Sequence, residues 1–313
     1  MDLTVASSLG GIGWRDRITG HDEEVAAGRV WARCGGRSEA SELRAVMLAE
    51  PPESLRCLDP RAALMRSPVD LDRLRDQYEM LTGTLRRMDV TVWTAETGAH
   101  APPNVIFMRD LFFMTPRGAV VGRMASAQRA GEERYAARAL AVAGIPIVAT
   151  ITGHATFEGA DALWLDEGTV VVGFGRRTNR AGVGALRRVL AQDGVRVIEV
   201  PLGPMVQHLL GTLMILDEKL AAVRSSAAGA ELRAVLRGYG YQLIELPDDD
   251  DMLDRRGMNL LTLGPRRVLI PAGASGIRRR LEAAGVTAEE VEVREYLNAD
   301  GALGCLTGIV HRN

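Results

Sequence analysis

The feature that most constrains this chain is a plan that recurs about every fifty residues along it. An acid-rich, glycine-containing stretch, Thr156–Trp164, opens an apolar strand, and Thr169–Phe174 follows as a second strand. A polar turn, a helix around Val183–Ala191 and a closing strand, Val195–Val200, complete the unit. Closing strands recur from Met88, Ala143, Asp193, Tyr239 and Ala284. Middle strands recur from Ala119, Thr169, Lys219 and Arg267, and opening strands from Asn104, Phe157, His208 and Asn259. Upstream, Leu43–Ala49 reads as a strand by its branched apolar content. Leu71–Met88 reads as a helix by its apolar spacing, with Asp70 or Asp72 at its start, and Val90–Thr94 as the next strand. That first unit lacks an opening strand, whereas Leu303–Val310 is an opening strand with nothing after it. A last strand that supplies what the first unit lacks predicts a closed ring: an α/β, five-fold pseudosymmetric propeller of ββαβ units around a central cavity. A helix in every unit argues against an all-β propeller, and the orphan strands argue against an open solenoid.

In such a ring, opening-strand residues at equivalent positions converge on the axis. Asp110, Glu158, His208 and Cys305 all fall there, with separations of 158 − 110 = 48, 208 − 158 = 50 and 305 − 208 = 97, the last close to two units. Two carboxylates, an imidazole and a thiol would then face one cavity. Taken singly, a cysteine in an apolar strand is a small buried hydrophobe and a histidine among leucines a satisfied core residue. It is the shared register that selects Cys305 and His208, whereas Cys34 and Cys57 stay as buried hydrophobes.

The residues at these positions resemble those of the pentein superfamily of guanidino-group-modifying enzymes: arginine deiminases, dimethylargininases and amidinotransferases. Pro103–Asp110 is similar to the family's aspartate motif, Phe157–Asp161 to its acid-Gly-Gly-Asp motif and Gly175–Asn179 to its Arg-Thr-Asn turn. Gln207–Leu209 is similar to the His-Leu motif, and Gly304–Thr307 to the terminal cysteine motif. The likeness runs from residue 43 to 313, so residues 1–40, glycine-rich and anchored by Trp14 and Trp31, read as an N-terminal extension of a single catalytic domain, 41–313. By its position the extension is expected to shape the entrance to the cavity.

The resemblance implies a chemistry that suits these side chains. A guanidinium is a planar cation with a poorly electrophilic carbon, and paired carboxylates can hold its N–H groups in forked hydrogen bonds. Asp110 and Glu158 are expected to form that clamp, and Cys305 to attack from above the plane, giving an S-amidino intermediate. His208 would protonate the departing amine and then take a proton from water. A bound cation and an imidazolium nearby favour the thiolate. Asp161 is expected to be structural or to orient His208, and Arg129 and Arg177 to meet a substrate carboxylate. The product is a ureido compound with ammonia or an alkylamine, and no metal or organic cofactor is required. The alternative is an amidinotransferase, in which an amine replaces water; more remote is a non-catalytic binding protein of the same fold. Three departures point away from plain arginine. Leu210 stands where deiminases commonly carry an aspartate, Ala160 replaces the second glycine, and no arginine lies in residues 299–304.

Composition narrows the setting. The net charge of −2 gives no affinity for nucleic acid or anionic membrane, and Arg278–Arg280 reads as a solvated helix face. Three cysteines make no disulfide framework, and no apolar run is long enough to span a bilayer. A cytoplasmic protein acting on a small guanidino molecule is expected, with a homodimer left open. Gly10–Gly13 follows no strand, and Gly173-x-Gly175 lacks a third glycine, so neither makes a phosphate loop.

Overall fold

The computed structural model describes residues 5–56 and 58–313, so Cys57 lies outside the described residues. Among the described residues, fifteen strands form five three-stranded sheets. The first sheet joins β1 (Leu43–Ala49), β2 (Thr91–Ala95) and β15 (Gly308–Arg312). The second holds β3 (Phe112–Thr115), β4 (Gly118–Val121) and β5 (Ile147–Thr150), and the third β6 (Ala162–Asp166), β7 (Thr169–Phe174) and β8 (Arg196–Pro201). The fourth holds β9 (Leu213–Asp217), β10 (Leu220–Arg224) and β11 (Gln242–Leu246), and the fifth β12 (Leu261–Gly264), β13 (Arg267–Pro271) and β14 (Thr287–Val291). In each, the middle strand pairs antiparallel with the opening strand and parallel with the closing one. The expected completion of the first unit is observed: β15 lies antiparallel to β1, with Val46 opposite Ile309.

The burial pattern explains the arrangement. Opening and middle strands are almost wholly buried, with Val170, Val171 and Val172 at 0% exposure. Closing strands such as β2 and β11 carry exposed and half-buried residues. Strands covered on both faces read as continuous apolar runs, whereas the outer strands mix polar and apolar residues. Each unit's helix crosses from the middle to the closing strand, as a parallel pair requires. In the third unit the helix Arg180–Ala191 starts where the Asn179 side chain accepts from the Gly182 N–H at 2.8 Å, and it buries Val183, Leu186 and Leu190. The first unit's helix is Leu71–Arg87, capped by Asp70, which accepts from Asp72 and Arg73 N–H. Arg278, Arg279 and Arg280 are exposed, and Cys34 is buried.

The extension sits opposite to where its sequence position suggested. Opening strands begin at the site end of the ring and finish in hairpin turns at the other. Arg37 donates to the Glu167 carbonyl at 2.9 Å, and the His21 ring lies 2.8 Å from the Arg117 carbonyl, both in such turns. Buried Glu39 takes the Arg109 guanidinium at 3.1 Å. At these contacts the extension meets the far face, and none of its described residues lines the cavity that holds His208. No helix among the described residues is long and apolar enough to cross a membrane.

Candidate active site

The long opening strands expected from sequence are each split. In four of the five units the segment before the opening strand is a single helical turn, and the candidate residues lie on or at the start of these turns rather than on strands. Asp110 is in Met108–Leu111, Glu158 caps Gly159–Asp161, His208 caps Leu209–Gly211 and Cys305 is in Leu303–Leu306. These turns are largely buried and only three or four residues long, too short for a helical period to show in the sequence. The Asp110 turn packs against those of Glu158 and Cys305, and the Glu158 turn against that of His208. Gly159 permits this approach: a Cβ there would lie 2.2 Å from the Phe112 carbonyl oxygen.

The four chosen residues come together. His208 Nε2 lies 2.7 Å from Glu158 Oε2, and Nδ1 is 3.8 Å from Asp110 Oδ1. Asp110 Oδ2 accepts from Arg129 Nη1 at 2.6 Å, while its other oxygen, Oδ1, is buried without a hydrogen-bond partner. Cys305, half-buried, opens with His208 on one cavity of about 310 Å³. Gln207, Leu210, Met258 and Asn259 share its wall.

Several expected roles meet a different geometry. Glu158 is not a free clamp: Oε1 accepts from the Ala125 N–H at 3.1 Å, and Oε2 faces His208 and, at 3.4 Å, Arg177 Nη1. Asp161 does not touch the imidazole. It accepts from Thr178 Oγ1 at 2.7 Å and from the Leu209 N–H at 2.9 Å, fixing the backbone just after His208. Arg129, 2% exposed, is spent internally on Asp110 and on Glu132, at 2.8 Å, so it has no free face for a substrate carboxylate. Arg177 is likewise turned to Glu158.

The electrostatics follow from this packing. Burial disfavours an imidazolium, but the carboxylates of Asp110, Asp161 and Glu158 outweigh it and push His208 up to about 9. Burial would raise Glu158, yet the His208 hydrogen bond and the charges of His208, Arg129 and Arg177 hold it well below the usual carboxylate range. Burial lifts Glu132 to about 7 against the pull of Arg129, and Asp161 to about 6 against that of His208. Burial and the Asp110 charge push the Cys305 thiol up to about 11, opposed by a hydrogen bond from Asn259.

Asn259 is the residue that register alone could have found. The separation of 97 between His208 and Cys305 divides as 259 − 208 = 51 and 305 − 259 = 46, so Asn259 holds the same place in the intervening unit. Its Nδ2 donates to Cys305 Sγ at 2.8 Å, and its Oδ1 accepts from the Cys305 N–H at 3.0 Å.

Comparison with known proteins places this geometry. The arginine deiminase family model matches residues 94–227, which carry Asp110, Arg129, Glu158, Asp161, Arg177 and His208. A relative from Aeropyrum pernix, itself an uncharacterized protein, is 30% identical over 266 residues, covering 84% of this chain and 93% of its own. The chain belongs to the pentein superfamily. A second relative of this pentein, an N(G),N(G)-dimethylarginine dimethylaminohydrolase from Mycobacterium tuberculosis, is 28% identical over 247 residues, 78% of each chain. Among solved structures, an amidinotransferase from Microseira wollei superposes with a TM-score of 0.72 at 17% identity, over 89% of this chain and 97% of that one.

Proposed function

We propose that this pentein is a cysteine-dependent hydrolase of an arginine-type guanidino compound, its ring spanning residues 41–313. One observation carries the reading. His208 and Cys305 open on one cavity, and beside them Asp110 keeps a buried carboxylate oxygen without a hydrogen-bond partner. Such an oxygen is costly to leave bare, and a guanidinium N–H would satisfy it. The dimethylarginine-hydrolysing relative and the arginine deiminase match supply the substrate class.

The steps follow from the charges. In the free protein the thiol is neutral and His208 carries its proton. A bound guanidinium offsets the Asp110 charge that opposes thiolate formation, so the thiol releases its proton to solvent as substrate binds and the sulfur becomes the nucleophile. Sulfur adds to the guanidinium carbon, and the His208 proton passes to the nitrogen of the departing amine as its bond to carbon breaks. Water then adds to the S-amidino carbon and gives its proton to His208. The carbon–sulfur bond then breaks as the remaining hydroxyl proton passes to the departing sulfur, releasing the ureido product and restoring the neutral thiol and the protonated His208. Glu158 holds the imidazolium in place through Nε2, and Asp161 acts through the backbone. Asp110, Glu158 and His208 offer ligand-type atoms within 4.8 Å of one another. Arg129 on Asp110 and the proton on His208 compensate that charge, which suits a guanidinium cation rather than a metal ion. No cofactor enters this scheme.

The test is labelling of Cys305 by 2-chloroacetamidine, with urea-type product measured from arginine and methylated arginines. Stoichiometric labelling lost in Cys305→Ala, together with ureido product, supports the hydrolase. An unlabelled, folded protein would overturn it in favour of a binding role. Offering glycine in place of water after single-turnover capture separates the hydrolase from an amidinotransferase.

A further inference from the structure

A second group of buried charges lies under the N-terminal extension. Gly35, Ser38 and Glu39 of the extension, together with Arg109, Trp164 and Arg312 of β15, line a cavity of about 20 Å³. It shares no lining residue with the cavity of His208 and Cys305. Its charged groups are Glu39, Arg109 and Arg312, a balance of one positive charge.

These charges do not cancel in pairs. Glu39 belongs to Arg109, whose Nη2 donates to its two oxygens at 3.3 and 3.1 Å. Arg312 is only 4% exposed, yet it meets no carboxylate among the described residues. Its Nη1 and Nη2 donate instead to the carbonyls of Ser41 and Thr262, at 2.7 and 2.6 Å. Glu42, the other acid whose charge reaches it, is taken by Arg267 at 2.6 Å. Burial accordingly holds the Arg312 guanidinium down to about 10. A buried cation is costly unless it is paired.

The same wall has donors to spare and few acceptors. Arg312 Nε is buried with no hydrogen-bond partner. Of the Arg109 N–H groups, only those on Nη2 meet an acceptor among the described residues. The Ser38 hydroxyl accepts from the Ala40 and Ser41 N–H groups, each at 3.0 Å, so its own proton is left to give. The one charged acceptor, Glu39, already takes Arg109 and the Trp164 backbone N–H. Water could meet the donors but would leave the charge unmatched, whereas an anion does both. A water-sized sphere occupies about 10–15 Å³, so the space suits one monatomic ion and is too small for phosphate, sulfate or an organic carboxylate.

We propose that this cavity is a halide site, taking chloride or bromide on Arg312 Nε, the remaining N–H groups of Arg109 and the Ser38 hydroxyl. The ion supplies the counter-charge that Arg312 lacks. It also ties three segments together: the extension through Ser38, the closing strand through Arg312, and the turn that carries Asp110 through Arg109. Arg312 stands opposite Leu43 of β1, so the site lies at the seam of the ring and its occupation stabilises the closed form.

The experiment follows urea unfolding of the full chain as sodium gluconate is exchanged for sodium chloride or bromide at constant ionic strength, gluconate being too large to enter. The unfolding constant is expected to fall along a saturating curve, by about tenfold once halide reaches about ten times its Kd. Crystals grown with bromide are expected to show an anomalous peak in the cavity within hydrogen-bonding distance of Arg312 Nε. Ser38→Ala should weaken the halide dependence, and Arg312→Met should abolish it. Arg312→Met also gives up two carbonyl contacts, so if it does not fold, the wild-type titration and the bromide peak decide. Equal unfolding in gluconate and halide, a response without saturation, or a full response in Arg312→Met would overturn the site. So would a cavity holding water alone in bromide crystals. A bromide peak without the response in solution would mark an adventitious ion only, and would overturn it too.

Discussion

Replacing Asn259 by alanine removes both contacts that this side chain makes with Cys305, the 2.8 Å donation to Sγ and the 3.0 Å acceptance from the backbone N–H. The backbone bonds of the segment, Asn259 N–H to Arg256 and Gly304 N–H to the Asn259 carbonyl, do not depend on the side chain, so the fold should persist. A hydrogen bond to a charged acceptor contributes about 1.5–3 kcal/mol. The Sγ contact stabilises the thiolate in particular, and at about 1.4 kcal/mol per pH unit its loss should raise the thiol midpoint by roughly one to two pH units. At a fixed pH below the midpoint, alkylation should slow roughly ten- to a hundredfold. The assay is the rate of Cys305 labelling by iodoacetamide against pH, with thiolate absorbance near 240 nm as a second readout. Asn259→Asp keeps the acceptor for the N–H but sets an anion beside sulfur, and should be slower still. A pH profile that stays in place for Asn259→Ala, even with a lowered Tm, would refute the argument and leave Asn259 a packing residue.

Three further outcomes are expected. Arg129→Met should lower stability by about 3–5 kcal/mol, because it leaves the buried carboxylates of Asp110 and Glu132 without their counter-ion. Chemical denaturation checks this, and a loss below about 1 kcal/mol would count against it. Gly304→Ala should impair turnover, since a Cβ there would meet the Leu260 carbonyl oxygen and Asn259 Oδ1 at 2.8 Å; wild-type kcat would show that the segment yields. His208 is raised above its ordinary 6.5 to about 9, so its contribution to stability is complete below that ordinary value and is lost as pH rises through about 9. The wild-type Tm should therefore fall more steeply than that of His208→Gln on going from about pH 7 to pH 10, and parallel curves would contradict it.

The ring was legible in the sequence because a buried strand and an outer strand differ in pattern, and because Leu303–Val310 could only belong to the unit that lacked it. β1 and β7 match their expected bounds. The helical turns were not legible, since each is only three or four residues long and runs straight into a buried strand. Register located Asp110, Glu158, His208 and Cys305 and reaches Asn259 as well, but that position stayed unassigned because a neutral amide carries no mark of chemistry until the thiol is beside it. Roles were harder than places. That Glu158 belongs to His208, and Arg129 to Asp110 and Glu132, depends on which oxygen faces which nitrogen, and spacing along a chain does not encode that. Glu132 went unassigned for the same reason: one turn from Arg129, it reads as an ordinary solvated helix residue, although it is fully buried.

Closure of the circle by β15 has a consequence for synthesis on the ribosome. Of the fifteen described strands it follows all the others, yet its partner β1 precedes them all, and Arg312 reaches back to donate to the Ser41 carbonyl at 2.7 Å. The nucleophile travels with that closing segment, three residues ahead of the strand (308 − 305 = 3). A nascent chain stalled before residue 305 can have assembled both acids, the imidazole and the amide, and still be chemically silent. Domains fold as units while they emerge, so here the reactive sulfur arrives only with the act that seals the molecule.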